Sequence, residues 1–188
     1  MIKIGITGSI ASGKTTASEI LSRKRGPLFS ADKEVKKLYK NKSFQRLLIK
    51  KFNIKKKTNV KNFLKKIILK NKTSIKKLEK IIHPLIRKKM KDFSRKNKKK
   101  KNLFYEIPLL VENKLMNYFN VIIFIKAKRS VRLKRFKLKG GGEKLFNLMN
   151  NKQLSDTKKI KFCDHVIVNE KNLNILKKNL LDIIKLYA

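Results

Sequence analysis

The stretch Gly8-Ser9-Ile10-Ala11-Ser12-Gly13-Lys14-Thr15 fills the pattern Gly-x-x-x-x-Gly-Lys-Thr, that of a loop which cradles phosphates. Glycines let such a backbone turn its N–H groups inward and come close to phosphate oxygens. The pattern carries weight only between a strand and a helix, and both flanks comply. Before it, Ile2, Ile4 and Ile6 alternate with little polar relief, as in a buried central strand of a parallel sheet. After it, residues 14–24 put Ala17, Ile20 and Leu21 on one helical face. The positive end of that helix would face the same phosphates. Lys14 would reach the β- and γ-phosphates, and the Thr15 hydroxyl would ligate Mg²⁺. Gly8, Ala11, Ser12, Gly13, Lys14, Thr15 and Thr16 are the candidate ATP-binding residues.

The pattern continues outward as strands separated by helices. Residues 26–30 read as a second short strand with turn punctuation before it, ending at Asp32. Residues 33–100 read as helical throughout, with one stripe at Leu47, Leu48 and Phe52 and another at Phe63, Leu64, Ile67 and Ile68. A third runs from Ile75 to Ile86, where Pro84 should start a new helix or kink the old one. Residues 103–107, 121–125 and 164–168 predict three more strands. Helical pieces cover 129–139, 143–152, 155–162 and 172–187, and Gly140-Gly141-Gly142 reads as a flexible hinge. The expected fold is α/β: a five-stranded parallel sheet of the P-loop NTPase type, flanked by helices. The core would be 1–32, 102–134 and 163–188, with a helical acceptor-binding insertion at 33–101 and a small helical lid at 135–162.

The bulk composition narrows the function. A chain of 188 residues suits one domain, and no apolar run approaches the roughly 18 residues of a membrane span. The start is not that of a signal peptide, and Cys163 is the lone cysteine, so a reducing cytoplasm is the expected compartment. The net charge of +40 invites a nucleic-acid reading, but 44 of the 52 basic residues are lysine and they are spread along the whole chain. Nucleic-acid and phosphate readers favour arginine for its bidentate fork. Specific nucleic-acid binding is therefore not expected, nor is a membrane partner, and the chain should be a monomer or weak oligomer.

Guanine-specific loops of this class pair with a late Asn-Lys-x-Asp. The Asn-Lys pairs here, at Asn41, Asn71, Asn113 and Asn151 among others, lack the aspartate. ATP is favoured, and the length suits a kinase of a small acceptor. Asp32 follows the second strand, and in a parallel sheet that places it at the same carboxyl edge as the phosphate loop. There it can deprotonate an acceptor hydroxyl, besides capping the helix that follows.

Four segments spread over the chain resemble the dephospho-CoA kinase family, which phosphorylates the ribose 3′-hydroxyl of dephospho-CoA. They are Gly5-Ile6-Thr7-Gly8 leading into the loop, Ser30-Ala31-Asp32, His83-Pro84-Leu85-Ile86-Arg87 and Pro108-Leu109-Leu110-Val111-Glu112. Gln153, Lys158, Lys159 and Asp164-His165-Val166-Ile167-Val168-Asn169 add a weaker echo. The resemblance implies ATP and Mg²⁺ as cofactors and Asp32 as catalytic base, with Lys14 and lid cations offsetting charge in transfer. It implies acceptor contacts from Asp32, His83, Arg87, Leu109 and Glu112. The lid would supply Arg135 or Lys139, with Arg132, Lys137, Lys152, Lys158 and Lys159 adding charge. Two departures stand out: Ser30 replaces the first aspartate of the family's Asp-Ala-Asp, and Lys139-Gly140 replaces arginine and an acidic residue. The rival readings are a nucleoside or nucleoside monophosphate kinase and a basic nucleic-acid-binding ATPase.

Overall fold

The computed structural model describes residues 1–54, 60, 63 and 72–187. The chain divides into two compact units, Met1–Ser30 with Asn97–Ala188, and Ala31–Lys96.

The first unit is built on β1 (Ile2–Gly8), which has no side chain able to reach water along most of its length and so must be covered on both faces. It pairs in parallel with β3 (Asn102–Glu106), Ile4 opposite Phe104, and with β4 (Val121–Lys126), Ile4 opposite Val121. β2 (Leu28–Ser30) and β5 (His165–Val168) complete a parallel sheet in the order β2-β3-β1-β4-β5. One face carries Ile4, Ile6, Phe104, Ile123, Ile125 and Ile167. Against it lie Ala17 and Leu21 of α1 (Lys14–Ser22) and Leu176, Leu180 and Ile184 of the last helix, Leu173–Lys185. Each of the leucines and isoleucines contributes about 1.5–3 kcal/mol by leaving water, which is what holds the sheet and its carboxyl edge in place.

β2 starts two residues later than the sequence suggests. Gly26 is still wrapping the end of α1, its N–H donating to Ser22 O at 3.1 Å. Pro27 has no N–H to offer a neighbour, but its carbonyl accepts from Phe104 N at 3.0 Å. β5 is an edge strand, with Val166 and Val168 exposed and Ile167 buried.

After β4, α5 (Arg129–Leu138) ends at the glycines expected to be a hinge. The first two of them form its stop. Gly140 takes φ +81°, its N–H donates to Lys137 O at 2.9 Å, and Gly141 N–H donates to Phe136 O at 3.0 Å. This is the Schellman arrangement, which needs a left-handed residue just past the helix. Two short helices follow, α6 (Glu143–Asn150) and α7 (Asp156–Ile160), the second capped by the Ser155 side chain.

The second unit is helical. α2 (Ala31–Lys40), α3 (Lys42–Phe52) and α4 (Lys72–Lys96) replace the continuous pattern. Asn41 splits the first two by accepting from Phe44 N at 3.0 Å, and Asn53 closes α3 in the left-handed region. Phe44, Leu48, Leu78, Ile82 and Ile86 are buried, and α4 runs unbroken through Pro84. Pro84 and Lys80 are exposed, so the carbonyl that loses its helical donor can turn to water. Of the expected stripe at residues 63–68, Leu64, Ile67 and Ile68 lie outside the described residues. The last helix of the chain, Leu173–Lys185, is α8; Asn172 caps it by accepting from Ile175 N at 3.0 Å.

Candidate active site

The loop from Gly8 to Gly13 leaves the carboxyl end of β1, where α1 begins. Lys14 is buried, and its Nζ donates to Ser9 O at 2.9 Å, so the ammonium already lies folded along the loop. Ser12 N–H closes the turn onto Ser9 O at 3.2 Å. Ala11 stands at φ +58°, a strained choice for a side chain bearing Cβ. Ser12 Oγ is buried with no hydrogen-bond partner among the described residues. A buried hydroxyl with unused hydrogen-bonding capacity fits a loop that takes anionic oxygens.

One residue at this edge escaped the sequence reading. Glu106, the last of β3, is 2% exposed, and two hydroxyls converge on its carboxylate. Thr15 Oγ1 donates to Oε1 at 2.6 Å and Ser30 Oγ to Oε2 at 2.7 Å. A carboxylate that ends a strand next to the phosphate-loop strand can hold a metal ion bound to the loop threonine, directly or through water. Thr15 itself is exposed, so its hydroxyl can be reached from solvent. The signal was present as an acidic residue closing an apolar strand, but its pairing with Thr15 and Ser30 exists only in the fold. Ser30, which lacks the carboxylate of the family pattern, is thereby tied to one.

The segment after β5 and the region 129–160 hold the loop from outside. Arg132, expected among the lid cations, is buried. It donates from Nε to Ala127 O at 3.0 Å and from Nη1 to Asn150 Oδ1 at 2.8 Å and Ile10 O at 3.4 Å. Gln153 Oε1 accepts from Ile10 N at 2.9 Å, and the Ser9 hydroxyl donates to Asp156. Arg135 Nη1 lies beside the loop, 3.4 Å from Ser12 O. Lys139, the other candidate for this role, is exposed at the C-terminal boundary of α5. Lys137 pairs with Glu143 at 2.8 Å.

Pro108 to Glu112 follow β3, fastened by the Thr7 hydroxyl donating to Pro108 O at 3.3 Å. Leu109 is half-buried. Glu112 is engaged within the unit: Oε1 lies 2.7 Å from Nζ of the fully buried Lys159 and accepts from Leu154 N at 3.0 Å. The remaining candidates belong to the helical unit. Asp32 is the second residue of α2, in its first turn with Glu34. His83 and Arg87 lie one turn apart on α4, His83 half-buried and Arg87 exposed. Burial, with the nearby Arg87 charge adding to it and Glu79 opposing it, holds the His83 imidazole below its usual pKa.

A family model described as dephospho-CoA kinase matches residues 2–174. The chain belongs to that family. A dephospho-CoA kinase of Rickettsia typhi is 33% identical over 98% of this chain and 97% of its own length. One from Bartonella quintana is 34% identical over 97% and 96%. The solved dephospho-CoA kinase from Campylobacter jejuni superposes with a TM-score of 0.66 at 26% identity, covering 99% of this chain and 97% of that one. The family catalyses the last step of coenzyme A biosynthesis, with ATP as phosphoryl donor. The parallel sheet, the loop at its carboxyl edge and the family thus agree on a P-loop kinase. Among the described residues, no helix is long and apolar enough to cross a membrane.

Proposed function

We propose that in this chain the γ-phosphoryl of ATP passes in line to the ribose 3′-hydroxyl of dephospho-CoA, with Asp32 accepting the hydroxyl proton. The observation that carries the reading is the convergence of Thr15 and Ser30 on buried Glu106 beside a phosphate loop whose Lys14 is already folded inward. Gly8, Ala11, Ser12, Gly13 and Thr16 complete the phosphate cradle.

The donor set of Thr15 hydroxyl and Glu106 carboxylate suits Mg²⁺, a hard cation that takes oxygen ligands and keeps several waters. Bound there with ATP, the ion would neutralise charge on the phosphate oxygens. Lys14 supplies a fixed ammonium for the same charge, and Arg135 a planar guanidinium that two oxygens can share. Lys139 would add charge without that fork. Asp32 orients the acceptor hydroxyl and removes its proton as the new bond forms. His83 is neutral near pH 7, and with Arg87 it contacts the acceptor's ribose or phosphate; Leu109 lines the acceptor's resting place. Glu112 serves that place indirectly, by holding residues 154–159 through Lys159 and Leu154 N. The enzyme works in the cytoplasm, without a specific nucleic-acid partner, its basic charge being mostly lysine spread along the chain.

Purified protein incubated with labelled ATP, Mg²⁺ and a panel of acceptors tests the reading. Dephospho-CoA should be phosphorylated at least about a hundredfold more efficiently than nucleosides or nucleoside monophosphates, since those lack the pantetheine arm. Preference for a nucleoside, or ATP turnover that rises with added RNA, would sink it.

A further inference from the structure

Asn169, the residue after β5, sits against the phosphate loop. It is 6% exposed, and its own N–H is pinned to the end of β4 by a 2.8 Å bond to Lys126 O. Its side-chain amide donates from Nδ2 to Ser12 O at 2.8 Å. Only the amide nitrogen can donate to a carbonyl, so the acceptor fixes which way the amide points. Arg135 Nη1 closes the arrangement, donating to Asn169 O at 3.0 Å and to Ser12 O at 3.4 Å. Two donors from two separate elements thus grip a single loop carbonyl.

Gly13 explains why the grip is possible. It begins α1 at φ +97°, with no side-chain cap, and a Cβ there would overlap Asn169 Nδ2. The asparagine occupies the space that any other residue at position 13 would need. The Ser12 carbonyl and the Gly13 N–H belong to one trans peptide unit, in which they point in opposite directions. Pulling the carbonyl toward Asn169 and Arg135 therefore turns the Gly13 N–H to the other side. There it can serve with the other amides at the start of α1 as a phosphate donor.

We propose that Asn169 is a positioning residue for ATP: it sets the Ser12–Gly13 peptide plane, and through Arg135 it links that plane to α5. The proposal rests on the reading of residues 8–16 as the ATP loop. ADP binding by calorimetry on the full chain, and separate KM values for ATP and dephospho-CoA, test it. Asn169→Ala should weaken ADP binding and raise the ATP KM by about tenfold, the scale of one lost buried hydrogen bond. The dephospho-CoA KM should stay within about twofold. Asn169→Asp keeps size and shape but cannot donate, and its charge opposes phosphate, so it should bind ADP more weakly still; it carries the test if the alanine variant does not fold. ADP affinity within about twofold of wild type in the aspartate variant, or equal losses for both substrates, overturns the proposal. A wild-type chain that binds no ADP would instead break the reading of the loop itself.

Discussion

The carboxyl edge of the sheet and the helical unit Ala31–Lys96 differ in how far their candidate residues are buried. At the sheet edge almost every polar group is held: Lys14 by Ser9 O, Thr15 and Ser30 by Glu106, the loop backbone by Arg132, Arg135, Gln153 and Asn169. In the helical unit, Arg87 stands exposed on a helix surface and His83 is half-buried, with the buried side of the same helix given to Leu78, Ile82 and Ile86. A site for triphosphate gains from being preorganised, because its donors act on charge that develops during transfer and reorganising them then would cost free energy. A site that recognises an acceptor can rest on exposed side chains of rigid helices.

That contrast can be broken by substitution, and the largest effects belong to the chemistry. Lys14→Ala should lower kcat/KM on the order of 10²–10³-fold, as losing one preorganised charge does. Asp32→Asn should lower kcat by about 10²–10⁴-fold while ADP binding, by calorimetry, is unchanged. Near-normal turnover in Asp32→Asn would remove it as the base and leave the helical unit with no chemical role.

Next comes the buried pair behind Glu112. Lys159→Met strands the carboxylate and should cost about 3 kcal/mol in urea unfolding. If stability holds and only the dephospho-CoA KM rises, Glu112 belongs to the acceptor and not to the scaffold. Glu106→Gln should raise the Mg²⁺ concentration needed for half-maximal rate by about tenfold, and Mn²⁺ binding followed by electron paramagnetic resonance should weaken in parallel. Combined with Thr15→Ala it should add little, because both act on one ion.

The smallest effect concerns His83. Its folded pKa lies below the ordinary imidazole value, so the unfolded chain takes up the proton first as pH falls. The stability tied to neutral His83 is present above about pH 6.5 and is lost below it. His83→Gln should flatten that slope in urea unfolding at pH 7 and pH 5.5; an unchanged slope would place the titration elsewhere.

Local physics made part of this fold legible in the residues alone. Alternating isoleucines before Gly8 can only be a covered strand, and Gly-x-x-x-x-Gly-Lys-Thr constrains the backbone by itself. Boundaries moved where helix-end hydrogen bonds and access to water, which the apolar pattern does not record, decided them. Gly26 stayed with α1 because of Ser22 O, and Pro84 remained in α4 because water can reach the carbonyl it deprives. The three glycines at 140–142 look like a hinge in composition, yet the helix they follow uses Gly140 as its stop. Arg132, one cation among many in so basic a chain, proved to be buried framework, and nothing in its neighbours in sequence says so.

What the order of residues determined is the strand–loop–helix, the alternation of strands and helices, and the family. Each rests on contacts within a few residues or on a motif's own spacing. What the tertiary structure decided is which groups meet: Thr15 with Glu106 across 91 positions, Lys159 with Glu112, Asn169 with Ser12 across 157. Those meetings follow from the parallel sheet, which brings the carboxyl ends of strands far apart in the chain to one edge. No local pattern records that edge, because it comes into being only when β1 is paired on both sides.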